Sequence, residues 1–425
     1  MPSWKWLRSD GCGGVIEYIE MDLTLTGMAY GGEAFGRAED GRMVFVPFAL
    51  PGEHVHVRLT EVHKRWARGQ PLEWMTTSPQ RITPRCAHFG ICGGCHYQHL
   101  PYREQLLVKE DVVREQLSRI GGLPTDTVQS IIPSPQEWAY RNRITFQVDS
   151  QGSLGFMRQD GEGVFAAQEC HLPLPELNAL WPDISLEKQS GVLKVGLRIG
   201  TEGRPMVLLY GEGKPELETS VEIPASLIWL SDAGTRVLAG EQALHFEIQG
   251  HRFRISPNSF FQVNTALVAE LVSLALGMLS VEPGETILEL YAGAGLFTRF
   301  LVEAGALVLA AEESPSACAD FLINLDDAPE VDLIAEPVEV ALRGLHIQPD
   351  AALLDPPRSG LSKPAREALL HLAPERIVYV SCDPATLARD GKALSQDGYL
   401  LERLTPIDLF PQTFHIETVS SWRRR

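Results

Sequence analysis

From Phe253 onward, short apolar runs alternate with segments of helical periodicity: TILELYAGAG, ALVLAAEES, VDLIAEP, AALLDPP and RIVYVSC. Brief apolar runs bounded by turn residues read as buried strands. Strands that alternate with helices predict a parallel, doubly wound α/β sheet. The preceding sequence has a different texture. Between about Val15 and Met75, LTLTGMAYGGEAFGRAEDGRMVFVPFALPGEHVHVRL reads as short strands separated by glycine turns, the pattern of a small OB-like β-barrel. The middle region is mixed α+β, with a cysteine cluster, an amphipathic helix over Tyr102–Ile120 and the strand-like runs RNRITFQVD and RPMVLLYG. The expected organisation is therefore 1–75, 76–252 and 253–425.

A chain of 425 residues with 44% hydrophobic and 22% charged residues can bury several cores. No apolar run has membrane-spanning length, and Met1 to Gly14 lacks the apolar segment of a signal peptide. A cytoplasmic monomer without membrane contact is expected. A net charge of −18 argues against a sequence-independent nucleic-acid coat, yet leaves room for a local basic groove. HVHVRLTEVHKRWARGQ carries Arg58, Lys64, Arg65 and Arg68 against the single acid Glu61. It reads equally as a solvated basic edge or as an RNA contact.

In ETILELYAGAGLFTRFLVEAG a strand runs into Gly293-Ala294-Gly295 and then a helix. Leu296, Phe297 and Thr298 follow where a dinucleotide fingerprint needs a third glycine. Glu312, nineteen positions after Gly293, suits a ribose hydrogen bond from the tip of the second strand. Without a pyrophosphate cradle, the better ligand is S-adenosylmethionine. Asp355, followed by two prolines, forms a rigid polar tip where a base can dock, or it caps a helix.

Cys382 stands between a strand and a helix whose start is marked by Asp383 and Pro384. The helix N-terminus there favours a thiolate, although a small core residue would fit as well. Cys86, Cys92 and Cys95 follow C-x5-C-x2-C spacing, with Cys170 as a plausible fourth ligand. Four cytosolic cysteines imply a closed metal site, zinc or iron–sulfur, and His88, His96 and His171 keep zinc open. Cys12 and Cys318 receive no function.

SPNSFFQVN, LELYAGAGLF, LLDPPRSGL, YVSCDPATLARD and DLFPQTFHIETVSSWRR occur in this order. Together they resemble the signature blocks of the S-adenosylmethionine-dependent RNA 5-methyluridine methyltransferases. The N-terminal region resembles a TRAM domain, and CAHFGICGGCHYQHL resembles that family's iron–sulfur motif. Two departures are Ala292 where cysteine is usual and Glu289 where aspartate is commoner. The resemblance implies a Rossmann-like catalytic domain behind a TRAM barrel and a central iron–sulfur domain. It implies Cys382 as nucleophile and Glu417 as base. Gln262, Tyr291, Glu312 and Asp355 become the S-adenosylmethionine contacts, with Asn324 and Glu336 nearby. Cys86, Cys92, Cys95 and Cys170 become ligands of a [4Fe–4S] cluster. Tyr140, Arg141, Asn142 and Arg143 match a segment expected to face RNA. The implied substrate is 23S ribosomal RNA, with the tRNA T-loop as the alternative.

Overall fold

The computed structural model describes residues 19–188, 190–214 and 225–425. Cys12 and the first expected strand residues, from Val15, lie outside the described residues. The chain forms two compact units, one extending to Val112 and including Gln412–Phe414, the other built from Val113–Pro411 and His415–Arg425.

The first unit contains a six-stranded sheet in the order Glu20–Thr24, His54–Val62, Trp66–Thr76, Met43–Val46, Ala34–Arg37, Gly27–Met28. Alternation dictates its core. Ala34, Val44, Val46, Val55, Val57 and Ala67 point to one side and pack together, as a half-buried sheet requires. Glu53, fully buried, accepts from the backbone N–H of Leu50 and Ser78 and from Trp74 Nε1, and is paired with Arg81. A buried charge needs such a full set of partners.

The second unit holds two seven-stranded sheets. RNRITFQVD and RPMVLLYG supply Arg143–Val148 and Pro205–Gly211 of one of them. The other runs Val331–Ile334, Leu307–Ala311, Thr286–Leu290, Ala351–Leu354, Arg376–Ser381, Glu417–Arg424, Tyr399–Ile407. Its first five strands are parallel. The last two pair antiparallel, with Glu417–Arg424 wedged between Arg376–Ser381 and Tyr399–Ile407. One hydrophobic core continues from Met206, Leu208 and Ile228 of the first sheet into Leu271, Ile287 and Val378.

The chain steps outward from Thr286–Leu290 in one direction and returns on its other side with Ala351–Leu354. That reversal opens a crevice at the carboxyl ends of these two strands. Behind it, helix Pro384–Gln396 buries Leu387, Asp390, Gly391 and Leu394. A Cβ at Gly391 would stand 2.5 Å from Trp422 Cη2, so glycine is what lets this helix lie against the wedged strand. No described helix is long and apolar enough to cross a membrane.

Candidate active site

Tyr291 leaves the central strand with φ of 62°, a left-handed conformation that costs a non-glycine residue about 1–2 kcal/mol. The turn this creates aims the next backbone amides at the crevice. Gly293 N–H donates to Glu312 Oε2 at 2.8 Å, and Ser314 N–H donates to Glu312 Oε1 at 2.8 Å. Glu312 is thereby fixed at the rim of the glycine loop, with lone pairs left for a further donor. Gly295 has φ of 84°, and a Cβ there would meet Leu325 Cδ2 at 2.8 Å. Asn324 is buried and donates to Ala294 O at 2.9 Å, so it braces the glycine loop from behind. Glu336 is exposed beyond the third strand.

Cys382, Glu417 and Asp355 converge at the same end of the sheet. The register pairs Ser381 with Thr418, and just beyond this pair the Glu417 carboxyl acts on the Cys382 thiol. Asp355 directly follows Ala351–Leu354, the neighbouring strand on the other side. Burial pushes the Cys382 thiol up to about 12, and the carboxyls of Glu417 and Asp355 add to this against the opposing pull of Arg358. The expectation that the helix N-terminus favours a thiolate is therefore corrected. Asp383 caps that helix, accepting from Thr386 N–H at 2.9 Å, which places negative charge where the dipole is positive. Burial also raises Glu417 well above the usual carboxylate range, with Asp355 contributing. Asp355 itself is raised by burial and by Glu312.

Gln262 is buried on the loop preceding helix Val268–Leu279. Its carbonyl accepts from Asn142 Nδ2 at 2.8 Å. Tyr140 and Asn142 are themselves only 2% and 3% exposed, and Tyr140 OH donates to Pro411 O. These two residues therefore do not face RNA; they fasten the Gln262 loop and the approach to the wedged strand. Two further residues, neither singled out by sequence, clamp the start of that loop. Arg198 Nη1 donates to the carbonyls of Ser256, Pro257 and Ser259, while Asp320 accepts from Ser256 N–H and Ser259 Oγ.

Asp390 was missed as well. It is fully buried and accepts from Leu361 N–H, Tyr379 OH and Arg366, tying the DPPRSG loop to the helix that follows Cys382. Its signal lay in its spacing: Leu387, Asp390 and Leu394 share one helical face, so a carboxylate occupies a core position. Between this loop and Val338–Glu339 lies a cleft of about 510 Å³ with Tyr291 in its wall, within the range of small-molecule sites.

A TRAM-domain model matches residues 19–72, and a model for tRNA (uracil-5-)-methyltransferase matches residues 338–424. The chain is 31% identical over 439 residues to an uncharacterized RNA methyltransferase of Thermosynechococcus vestitus, covering 94% of this chain and 97% of that one. A counterpart from Aquifex aeolicus is 33% identical over 420 residues, with the same two coverages. The chain belongs to the family of these RNA methyltransferases. Among solved structures, the tRNA (uracil-54, C5)-methyltransferase of Pyrococcus abyssi, bound to S-adenosyl-L-homocysteine, superposes with a TM-score of 0.74. The two are 25% identical, and the match covers 95% of this chain and 100% of that one.

Membership in the family does not by itself supply a metal. Cys86, Cys92 and Cys95 lie half-buried in the first unit, on a loop of successive turns, and Gly94 N–H approaches Cys92 Sγ at 3.4 Å. Cys170 is half-buried in the second unit, its carbonyl held by Asn178. Among the described residues, no three His, Cys, Asp or Glu side chains converge as metal ligands do. The donor chemistry of the four thiols suits a cluster.

Glu289 is the most deeply buried acid beside the crevice. Thr298 Oγ1 donates to its Oε2 at 2.6 Å, and its Oε1 has no partner. Burial lifts it from 4.5 to about 8. A carboxyl that holds its proton more tightly when folded contributes stability that is complete below about 4.5 and lost as pH rises through about 8. Glu289→Gln should therefore melt like the parent at acidic pH. Above about pH 8 the variant should be the more stable, by about 2–5 kcal/mol. Thermal melts of the two cofactor-free proteins across this range check it; a constant difference would contradict it.

Proposed function

We propose that this family member transfers a methyl group from S-adenosylmethionine to C5 of a uridine in RNA, with Cys382 as nucleophile and Glu417 as base. The observation that carries the reading is the ladder ending at Ser381 and Thr418, beyond which Cys382 and Glu417 come close enough for the carboxyl to act on the thiol. Gln262, Tyr291, Glu312 and Asp355 would hold the cofactor. Glu289, Glu417 and the half-buried Asp355 stand about the crevice, and a cationic sulfonium there would favour the charged forms that burial disfavours. When bound, S-adenosylmethionine supplies the electrophilic methyl group.

The protein's own part is covalent catalysis. C5 of uracil is a poor nucleophile, and addition of a thiolate to C6 turns the ring into an enolate that is electron-rich at C5. The Cys382 thiol must first give up its proton to solvent water, which Arg358 favours and the neighbouring carboxyls oppose. Sγ then bonds to C6, and the C5–C6 π electrons move toward O4. Once C5 carries its methyl group, the Glu417 carboxylate removes the C5 proton. The electrons restore the C5–C6 double bond, and the C6–S bond breaks to release Cys382. A base within one strand spacing of the nucleophile serves this sequence, since both act on adjacent ring atoms.

The TRAM match together with the cysteine motif favours large-subunit ribosomal RNA as substrate. The Pyrococcus abyssi neighbour, named for uracil-54 of tRNA, favours the T-loop as the second reading. A [4Fe–4S] cluster on Cys86, Cys92, Cys95 and Cys170 rests on the spacing and on the N–H contact to Cys92 Sγ. It would have a structural role, since the reaction transfers no electrons.

Cys382→Ala should lower methyl transfer by about a thousandfold or more while leaving S-adenosylmethionine binding intact. Assays on 23S ribosomal RNA and tRNA transcripts with radiolabelled methyl donor measure this and show which RNA is the substrate. Substantial turnover by the variant would remove the covalent step.

Glu417→Gln should stall later. Addition and methylation need no base, so the variant should accumulate a methylated protein–RNA adduct that survives denaturing electrophoresis. Absence of any adduct would assign the base elsewhere.

Protein purified without air should contain about four irons per chain. Substituting Cys86, Cys92, Cys95 or Cys170 by alanine should lose that iron. One zinc without iron, by elemental analysis, would replace the cluster with a zinc site.

A further inference from the structure

Gln412 lies five residues before Glu417, and its backbone is unlike that of an ordinary strand approach. Its φ is 69°, a left-handed conformation that Cβ sterics disfavour in any residue but glycine. The side chain is only 2% exposed, yet its polar groups are well supplied. The Gln412 carbonyl accepts from the backbone N–H of both His96 and Tyr97, at 2.9 and 3.1 Å. Its N–H donates to Gln105 Oε1 at 3.0 Å, and its Oε1 accepts from Gln105 Nε2 at 2.9 Å. Gln105 is buried in turn, and its Nε2 also donates to the carbonyls of Tyr97 and Leu100.

Gln412–Phe414 belong to the first unit, although Pro411 before them and His415 after them belong to the second. Phe414 packs edge-on against Tyr30 and His96, with ring centroids at 5.6 and 4.6 Å. Three residues just ahead of the last strand are therefore gripped by side chains and amides from Tyr30 to Gln105. Glu417 is the first residue of that strand. It has a register partner in Ile407 on one side, while the ladder to the other neighbour starts only at Thr418. The ladder alone thus holds Glu417 less firmly than the residues after it, and the entering chain must supply the rest. A strained residue whose surroundings over-determine its conformation is a sign of that kind of pre-organisation.

We propose that Gln412 and Gln105 are positioning residues for Glu417: the clamped turn fixes the chain entering the last strand and so aims the carboxylate at the C5 proton. The two amides that hold the turn directly follow Cys95, so the loop carrying the cysteine motif also serves the base. This inference rests on Glu417 as the base.

The test uses the full chain and the transcript, 23S ribosomal RNA or tRNA, that the parent protein methylates. Gln105→Ala removes both side-chain partners of Gln412. Gln412→Gly removes the Oε1 contact at a φ that glycine adopts freely, and so reads the clamp even if the first variant folds poorly. Each should lower kcat about tenfold or more with KM for RNA and for S-adenosylmethionine unchanged. On normal RNA each should accumulate the methylated protein–RNA adduct, because the step that fails is proton removal. On 5-fluorouridine RNA, where no proton is removed, the adduct should form at a rate within about twofold of the parent. A merely structural loss would slow both reactions alike. Parent-like kcat in Gln412→Gly, reduced kcat without adduct, or equally slow trapping on 5-fluorouridine RNA would overturn the clamp. Glu417→Gln, run alongside, separates the two claims. Adduct with Glu417→Gln but none with either glutamine variant removes the clamp alone, and no adduct with Glu417→Gln removes the base and the clamp together.

Discussion

Six register pairs, from Arg376 with Arg423 to Ser381 with Thr418, hold the last strand against the strand that ends at Cys382. On its other side the last strand pairs with Tyr399–Ile407, so it is locked between two neighbours and buried over Glu417–Trp422. Trp422 anchors it against Gly391 of the helix that follows Cys382. Moving this strand by one residue would turn Glu417 to the opposite face of the sheet. The meeting of thiol and carboxyl thus depends on ladder hydrogen bonds and on one aromatic–glycine contact, rather than on any local feature of either residue.

The same burial has an electrostatic consequence. Glu289, Asp355 and Glu417 crowd one end of the sheet, and burial disfavours the charged form of each. Cys382 is subject to the same environment and is held as a thiol. A site of this kind is quiet until its ligands bring compensating charge. On the proposed reading, that behaviour would keep the nucleophile from reacting with stray electrophiles. The surrounding clamps, Arg198 and Asp320 on the Gln262 loop and Asp390 on the DPPRSG loop, keep the polar groups in position by satisfying backbone groups that would otherwise be orphaned.

What could be read from sequence was whatever local chemistry controls. The apolar runs became the parallel strands, Asp383 and Pro384 marked a helix start, and nineteen residues placed Glu312 beside Gly293. What could not be read depends on partners distant in the chain. The thiol was expected to be acidic because the helix N-terminus is adjacent in sequence. The carboxyl that opposes it arrives from 35 positions later, by strand pairing. The resemblance gave Tyr140 and Asn142 as facing RNA, and only tertiary contacts show them turned inward. Phe35, Phe45 and Trp66 carry the opposite lesson: in an alternating strand an aromatic residue suggests core, and here the smaller alternates hold that place.

The central claim is that Cys382 bonds to the uracil ring. RNA substituted with 5-fluorouridine tests it most directly, because fluorine at C5 cannot leave as a proton and the adduct is trapped. Proteolysis of the trapped complex followed by tandem mass spectrometry should find the fluorinated, methylated nucleotide on the peptide containing Cys382. A complex linked through Cys318 or another residue, or no covalent complex with protein that methylates normal RNA, would contradict the account.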